Sequence, residues 1–231
     1  MQAPYLATFT NKEKPMSYTI PFVLERVGET ERSFDLASRM MQDRIIVIDT
    51  DFNDHMAHII KMQLMYLDSR SKAPITIYIS SPGGSVHAGL GIKGVIANCR
   101  SPIKTIVMGY AASMGCYTQS VCGTPGMRLM DADSFIMAHQ VSSGTQGLIT
   151  DQRIALAHSD RLNKLLTTQI AAACGVSYDQ FMKDVDRDLW LNAEEALNYG
   201  EKGFVDGILM GERNEDGQYK VMRRNGVIDW V

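Results

Sequence analysis

The sequence has little that would suit a membrane, a metal centre or a nucleic acid. Its four cysteines, Cys99, Cys116, Cys122 and Cys174, lie among apolar neighbours without a C-x-x-C pair. That spacing excludes the usual zinc and thioredoxin patterns and suits small core side chains in a reducing compartment. No run approaches the roughly 18 uninterrupted apolar residues of a membrane helix. Asn11-Lys12-Glu13-Lys14 stands where a secretory signal would need its apolar centre. A cytoplasmic protein is the expectation. Basic residues come in pairs such as Arg223-Arg224, and the formal charge is −3, so nothing draws the chain to nucleic acid. A nucleotide loop is missing as well, because no glycine-rich segment has the phosphate-binding spacing and its lysine.

What remains is a chain of 231 residues, 45% hydrophobic, enough for one full-sized core. Residues 1–17 lack periodicity and read as a flexible leader or a segment removed later. One domain is expected over 18–210, followed by a polar tail over 211–231. Within the domain a short amphipathic helix is expected from Phe34 to Arg44, then a buried strand, Arg44 to Ile48. Asp51 or Asn53 can cap the next helix, whose apolar face runs Met56, Ile59, Ile60, Leu64, Leu67. Further strands are expected at Ile75–Ile79, Thr105–Met108 and Ser134–Ala138, with a helix from about Ser85 to Cys99. A long helix should run from about Thr150 to Ala173 and stop at Gly175. Ser177 and Gln180 fit a capping box for a short helix ending at Val185. This alternation of strand and helix argues for an α/β fold with a largely parallel sheet.

Chemistry concentrates at three places. Gly109-Tyr110-Ala111-Ala112-Ser113-Met114-Gly115 is a turn of small residues between a strand and a helix. Such a turn exposes a serine hydroxyl and aims helix N–H groups at a developing oxyanion, although a serine there can equally be a plain helix cap. Pro82-Gly83-Gly84 follows a strand; adjacent glycines let a backbone approach a ligand and present N–H groups, or simply make a tight turn. His139 ends a strand, where open α/β sheets place their sites. A carboxylate to orient its ring should come from Asp184, Asp186 or Asp188, and residue chemistry does not choose among them. His55 and His58 share a helix face without a good third metal ligand, and His87 and His158 sit in expected helices with no evident companion. No metal site is expected.

Taken together, these segments resemble the proteolytic-subunit family of the caseinolytic (Clp) protease, from about Pro21 through Leu209. The likeness rests on Glu31-Arg32-Ser33-Phe34-Asp35, on Tyr78 through Gly84, on Met108 through Gly115, on Met137-Ala138-His139-Gln140, and on Asp186-Arg187-Asp188. The resemblance implies a crotonase-like β/α unit, with Ser113 as nucleophile, His139 as general base and Asp188 as third member. It also implies that Gly83 and Met114 offer the oxyanion N–H groups. Two stacked seven-membered rings, joined through the long helix, would enclose the sites. Unfolded polypeptides would arrive from a Clp-type AAA+ ATPase, so ATP is spent by that partner and this chain needs no cofactor.

The chain departs from the family pattern in places. Val141 stands where the family usually has proline, and the serine–histidine separation is one residue longer, within Gly123-Thr124-Pro125-Gly126. Glu201-Lys202-Gly203 looks like an insertion, and the segment beyond Gly211 is foreign to the family. Competing readings are a silent ring subunit, opposed by retention of all three triad residues, and a crotonase-type acyl-coenzyme A enzyme, which would use carboxylates instead. A Ser–Lys peptidase is opposed by the available histidine.

Overall fold

The backbone resolves into alternating strands and helices in a computed structural model that describes residues 21–28 and 30–231; the expected leader, 1–17, lies outside them. The chain divides into two units at Met40/Met41. In the first, β1 (Phe22–Val27) and β2 (Thr30–Asp35) form an antiparallel hairpin, in register from Phe22–Asp35 to Val27–Thr30. Phe34 and Asp35 therefore belong to a strand, and α1 (Leu36–Gln42) begins two residues later than the sequence suggested. Asp35 marks the change, its carboxylate accepting from the Ser38 N–H at 2.9 Å.

The second unit is built on strands rich in isoleucine and valine. β3 (Ile45–Ile48) is followed by α2 (Asp54–Arg70), capped by Asn53, whose side chain accepts from the Met56 N–H. Ala57, Ile60, Leu64 and Leu67 form its buried stripe at helical spacing. β4 (Ile75–Ser81) buries every second residue from Ile75 to Ser81, the two-residue period of a pleated strand. α3 (Val86–Ile96) is capped by Ser85. β5 (Ile103–Ala112) runs well past the expected Met108 and carries the chain to the serine turn. There the expected helix shrinks to one turn, α4 (Met114–Tyr117), continued as a π-helical turn over Thr118–Cys122.

β6 (Arg128–Asp131) and β7 (Phe135–Ala138) follow, then α5 (Ile149–Cys174). The stop at Gly175 is a left-handed cap with φ 74°, a conformation that costs glycine little. α5 buries side chains only in its second half, from Leu166 to Cys174. α6 (Tyr178–Asp184) has the Ser177 cap, while a full reciprocal capping box occurs instead at Asn192 and Glu195. β8 (Leu189–Asn192), α7 (Ala193–Asn198) and β9 (Gly207–Arg213) complete the expected domain.

With β10 (Tyr219–Met222) and β11 (Ile228–Trp230), the nine-stranded sheet has the order β11-β10-β9-β6-β5-β4-β3, with β7 pairing with β5 and β8 off that path. β3 through β6 and β9 run parallel, as βαβ crossovers require. The segment beyond Gly211 does not trail away as a polar tail. β9 crosses that boundary, and β10 (Tyr219–Met222) and β11 (Ile228–Trp230) extend the sheet antiparallel. Val221 is fully buried in a second apolar cluster with Ile106, Leu129 and Leu209, which polar flanks had hidden in the sequence.

The segment 201–203 and the strands beyond Gly211 are tied together. The Arg224 guanidinium donates to the carbonyls of Leu197, Tyr199, Gly200 and Glu201, capping the end of α7 and holding the 201–203 segment. Beside it, the buried Arg128 pairs with Asp206 and also donates to Ser120, Ala173, Lys202 and Gly203 carbonyls. Among the described residues no helix is long and apolar enough to cross a membrane.

Candidate active site

The ends of three neighbouring strands, β4, β5 and β7, set the positions of the predicted residues. β5 pairs with β7 up to Ala112–Met137, and the Ser113 N–H donates to the Met137 carbonyl at 2.8 Å. Ser113 follows β5 directly, and His139 follows β7 directly, so adjacent parallel strands deliver both side chains to one edge. His139 Nε2 lies 2.8 Å from Ser113 Oγ. Ser113 makes no side-chain cap bond to α4, although it sits at the cap position. The plain-cap alternative is thereby excluded.

Ser113 has φ 53° and ψ −113°, a conformation that a residue with a Cβ rarely adopts. Strain of this kind costs on the order of 1–3 kcal/mol and persists only where packing over-determines it. Here the packing comes from Gly83, which has φ 91°. A Cβ on Gly83 would fall 2.6 Å from Ser113 Cβ, 2.7 Å from the Ala112 oxygen and 2.8 Å from the Met114 nitrogen. Glycine is therefore required for both shape and conformation. Its carbonyl accepts from the Phe52 N–H at 2.7 Å, which pins the turn.

Gly83 and Met114 thus lie against each other beside Ser113. Met114 is the first residue of α4, so its N–H has no intrahelical acceptor. The Gly83 N–H donates to Ser81 Oγ at 3.2 Å, and Ser81 Oγ in turn donates to the Thr50 carbonyl.

The aspartates separate cleanly. Asp188 Oδ1 stands 3.5 Å from His139 Nδ1, with its side chain 60% exposed. Asp186 faces only its neighbour Arg187, at 4.0 Å, and Asp184 accepts from the Tyr199 hydroxyl at 2.5 Å. Burial and that bond push the Tyr199 pKa up. Geometry therefore brings Asp188, and neither of the others, to the histidine.

A cleft of about 210 Å³ opens beside Ser113 and His139, walled by Val86, Met114, Tyr117, Val141, Leu166 and Ile170. Burial pushes the Tyr117 pKa well up, so this wall stays neutral, and its hydroxyl donates to Gln169. Residue-by-residue reading of motifs missed the contribution of α5. Asn163, Leu166, Thr167 and Ile170 line the cleft from one helix face, and their i, i+3, i+4, i+7 spacing was the signal available. Also missed was a companion for His87. Its ring stacks on that of His158, with centroids 5.7 Å apart and planes 16° apart, while His55 and His58 remain on the exposed face of α2. Among the described residues no cluster of three or more potential ligands could hold a metal ion.

The family model described as Clp protease matches residues 28–212. Two curated proteins are similar to this chain along nearly their whole length. An ATP-dependent Clp protease proteolytic subunit from Ligilactobacillus salivarius (strain UCC118) is 38% identical over 195 residues, covering 84% of this chain and 97% of that protein. An ATP-dependent Clp protease proteolytic subunit 1 from Salinibacter ruber (strain DSM 13855 / M31) is 38% identical over 215 residues, covering 93% and 90% respectively.

Proposed function

The chain belongs to the Clp protease family and is a serine peptidase of the proteolytic-subunit type, and from that premise we propose how its residues act. Ser113 is the nucleophile, His139 the general base and Asp188 the group that orients and balances the imidazole. The observation that carries this reading is the 2.8 Å approach of His139 Nε2 to a strained Ser113 at the mouth of an apolar cleft.

In the first step His139 Nε2 accepts the Ser113 proton while Oγ attacks a peptide carbonyl. The imidazolium so formed is stabilised by Asp188 across Nδ1. The oxyanion takes the Met114 N–H, and the Gly83 N–H joins by exchanging its long 3.2 Å bond to Ser81 for the shorter, charge-assisted one. The histidine then protonates the leaving amine, and water resolves the ester by the same steps in reverse. An apolar substrate side chain fits the adjoining wall of Val86, Met114, Leu166 and Ile170.

The active form is a self-compartmentalised barrel of two stacked seven-membered rings in the cytoplasm, fed with unfolded polypeptide by a Clp-type AAA+ ATPase. Support for self-association comes from the first half of α5 and its cap residue, where Leu148, Ile149, Ile154 and Leu156 are each more than half exposed. ATP is hydrolysed by the partner, and the peptidase itself works without a cofactor. The peptidase fold continues past 210 through β11, and 1–17 are a leader. A fluorophosphonate probe tests the chemistry. It should label the assembled protein at Ser113, and Ser113→Ala should abolish labelling; an unlabelled wild-type particle would sink the proposal.

A further inference from the structure

Beyond β7 the chain has no regular structure from 139 to 148, so His139 depends on side-chain ties to stay at Ser113. Asp188 is a weak tie, being largely exposed and 3.5 Å away. Gln140 Nε2 donates to the Val185 carbonyl at 3.3 Å, near the limit for such a bond. The well-made contact lies elsewhere. The Val141 N–H donates to Asn163 Oδ1 at 2.9 Å, two residues past the histidine. Asn163 is itself anchored on α5 one turn before the buried Thr167, whose hydroxyl donates to the Asn163 carbonyl at 2.6 Å.

We propose that Asn163 is a positioning residue for the reaction: through Val141 it holds the backbone after His139 so that the ring stands at Ser113 and the cleft keeps its α5 wall. Residue type at 141 is then decisive. Proline has no N–H to give, so the latch exists only because a residue with an amide hydrogen occupies 141. Asn163 touches no reacting atom in this scheme. It acts by holding orientation, where small displacements reduce rate sharply. The inference rests on the proposed roles of Ser113 and His139.

The test uses the full, assembled chain with a short fluorogenic peptide and the fluorophosphonate probe. Asn163→Leu removes the acceptor and Val141→Pro removes the donor. Asn163→Asp keeps an acceptor, and Val141→Ala keeps the N–H. Each disruptive variant should lower kcat and the labelling rate about 10-fold relative to the conservative change at the same position. The double variant should be no slower than the slower single, since both changes break one contact. The conservative variants alter the same cleft positions and so serve as the reference for that loss; one as slow as its disruptive counterpart would overturn the proposal.

An unchanged kcat in either disruptive variant, multiplicative losses in the double, or a change in KM alone would overturn the proposal. If Asn163→Leu melts early, the contrast of Val141→Pro with Val141→Ala decides instead. Labelling that persists in Ser113→Ala refutes the underlying catalytic reading. Labelling that depends on Ser113 but ignores residues 141 and 163 refutes the latch alone.

Discussion

The serine turn and the aspartate segment face the same imidazole from opposite ends, and they are built very differently. Ser113 sits in a left-handed conformation that Gly83, the Met137 carbonyl and the buried Met114 and Gly115 all enforce. Asp188 lies just before β8, mostly exposed, with its carboxylate 3.5 Å from the ring. A nucleophile must be placed to a fraction of an ångström before it reacts, and reorganising it later would cost rate. A carboxylate that only orients and balances charge acts over a longer range and tolerates water nearby. On the proposed roles, rigidity lies where the chemistry needs it.

The largest expected effect is at the rigid end. Replacing Ser113 by alanine should lower peptide turnover on the order of 10⁶-fold, leaving the melting temperature nearly unchanged in a thermal scan. Gly83→Ala comes next. Its methyl meets backbone and Ser113 Cβ at 2.6–2.8 Å and demands an unfavourable φ, so both kcat, by about 10²–10³-fold, and the melting temperature should fall.

The loose end should respond less. Asp188→Asn should reduce kcat by about 10²-fold, less than deeply buried triad aspartates do, because solvent already screens this contact. A loss equal to that of Ser113→Ala would erase the contrast between the two segments. Asp186→Asn serves as the control and should change kcat by less than about twofold, since Asp186 reaches only Arg187.

The smallest effect concerns thiols behind the serine turn. Burial pushes the thiols of Cys122 and Cys174 up to about 12 and raises that of Cys116 further. A raised pKa keeps the thiol protonated throughout the neutral range, and only the thiolate is nucleophilic. Iodoacetamide at neutral pH should therefore leave these three unmodified in the folded protein and label them after urea unfolding. Rapid labelling of Cys116, which belongs to α4 beside Ser113, would show that the rigid end opens readily.

Helices and parallel strands with strong patterns could be read directly from the chain. Ile60, Leu64 and Leu67 of the α2 stripe, the Asn53 and Ser177 caps and the Gly175 stop all depend on neighbours within a few residues, whereas Ile59, expected on the buried face, is exposed and Ala57 is buried instead. Less of the C-terminal region was legible. Tyr219 to Met222 lies between polar flanks, and the burial of Val221 depends on Ile106 and Leu129, far away in sequence. Of the site, Ser113, His139 and the Gly83 turn stood out through residue type and position at strand ends. The cleft wall on α5 did not, because the periodicity of 163, 166, 167 and 170 shows a face without saying what that face meets.

The sequence by itself determined the strand-and-helix alternation, the small-residue turn at Ser113 and the candidates for its base, since these are set by local backbone preference and side-chain chemistry. Only the tertiary structure decided between Asp184, Asp186 and Asp188, ruled out a mere cap at Ser113, joined Asn163 to Val141, and turned the presumed tail into sheet. Each of those outcomes is a distance between residues remote in the chain. Such distances are fixed by how strands and helices pack around a common core, which local chemistry does not contain.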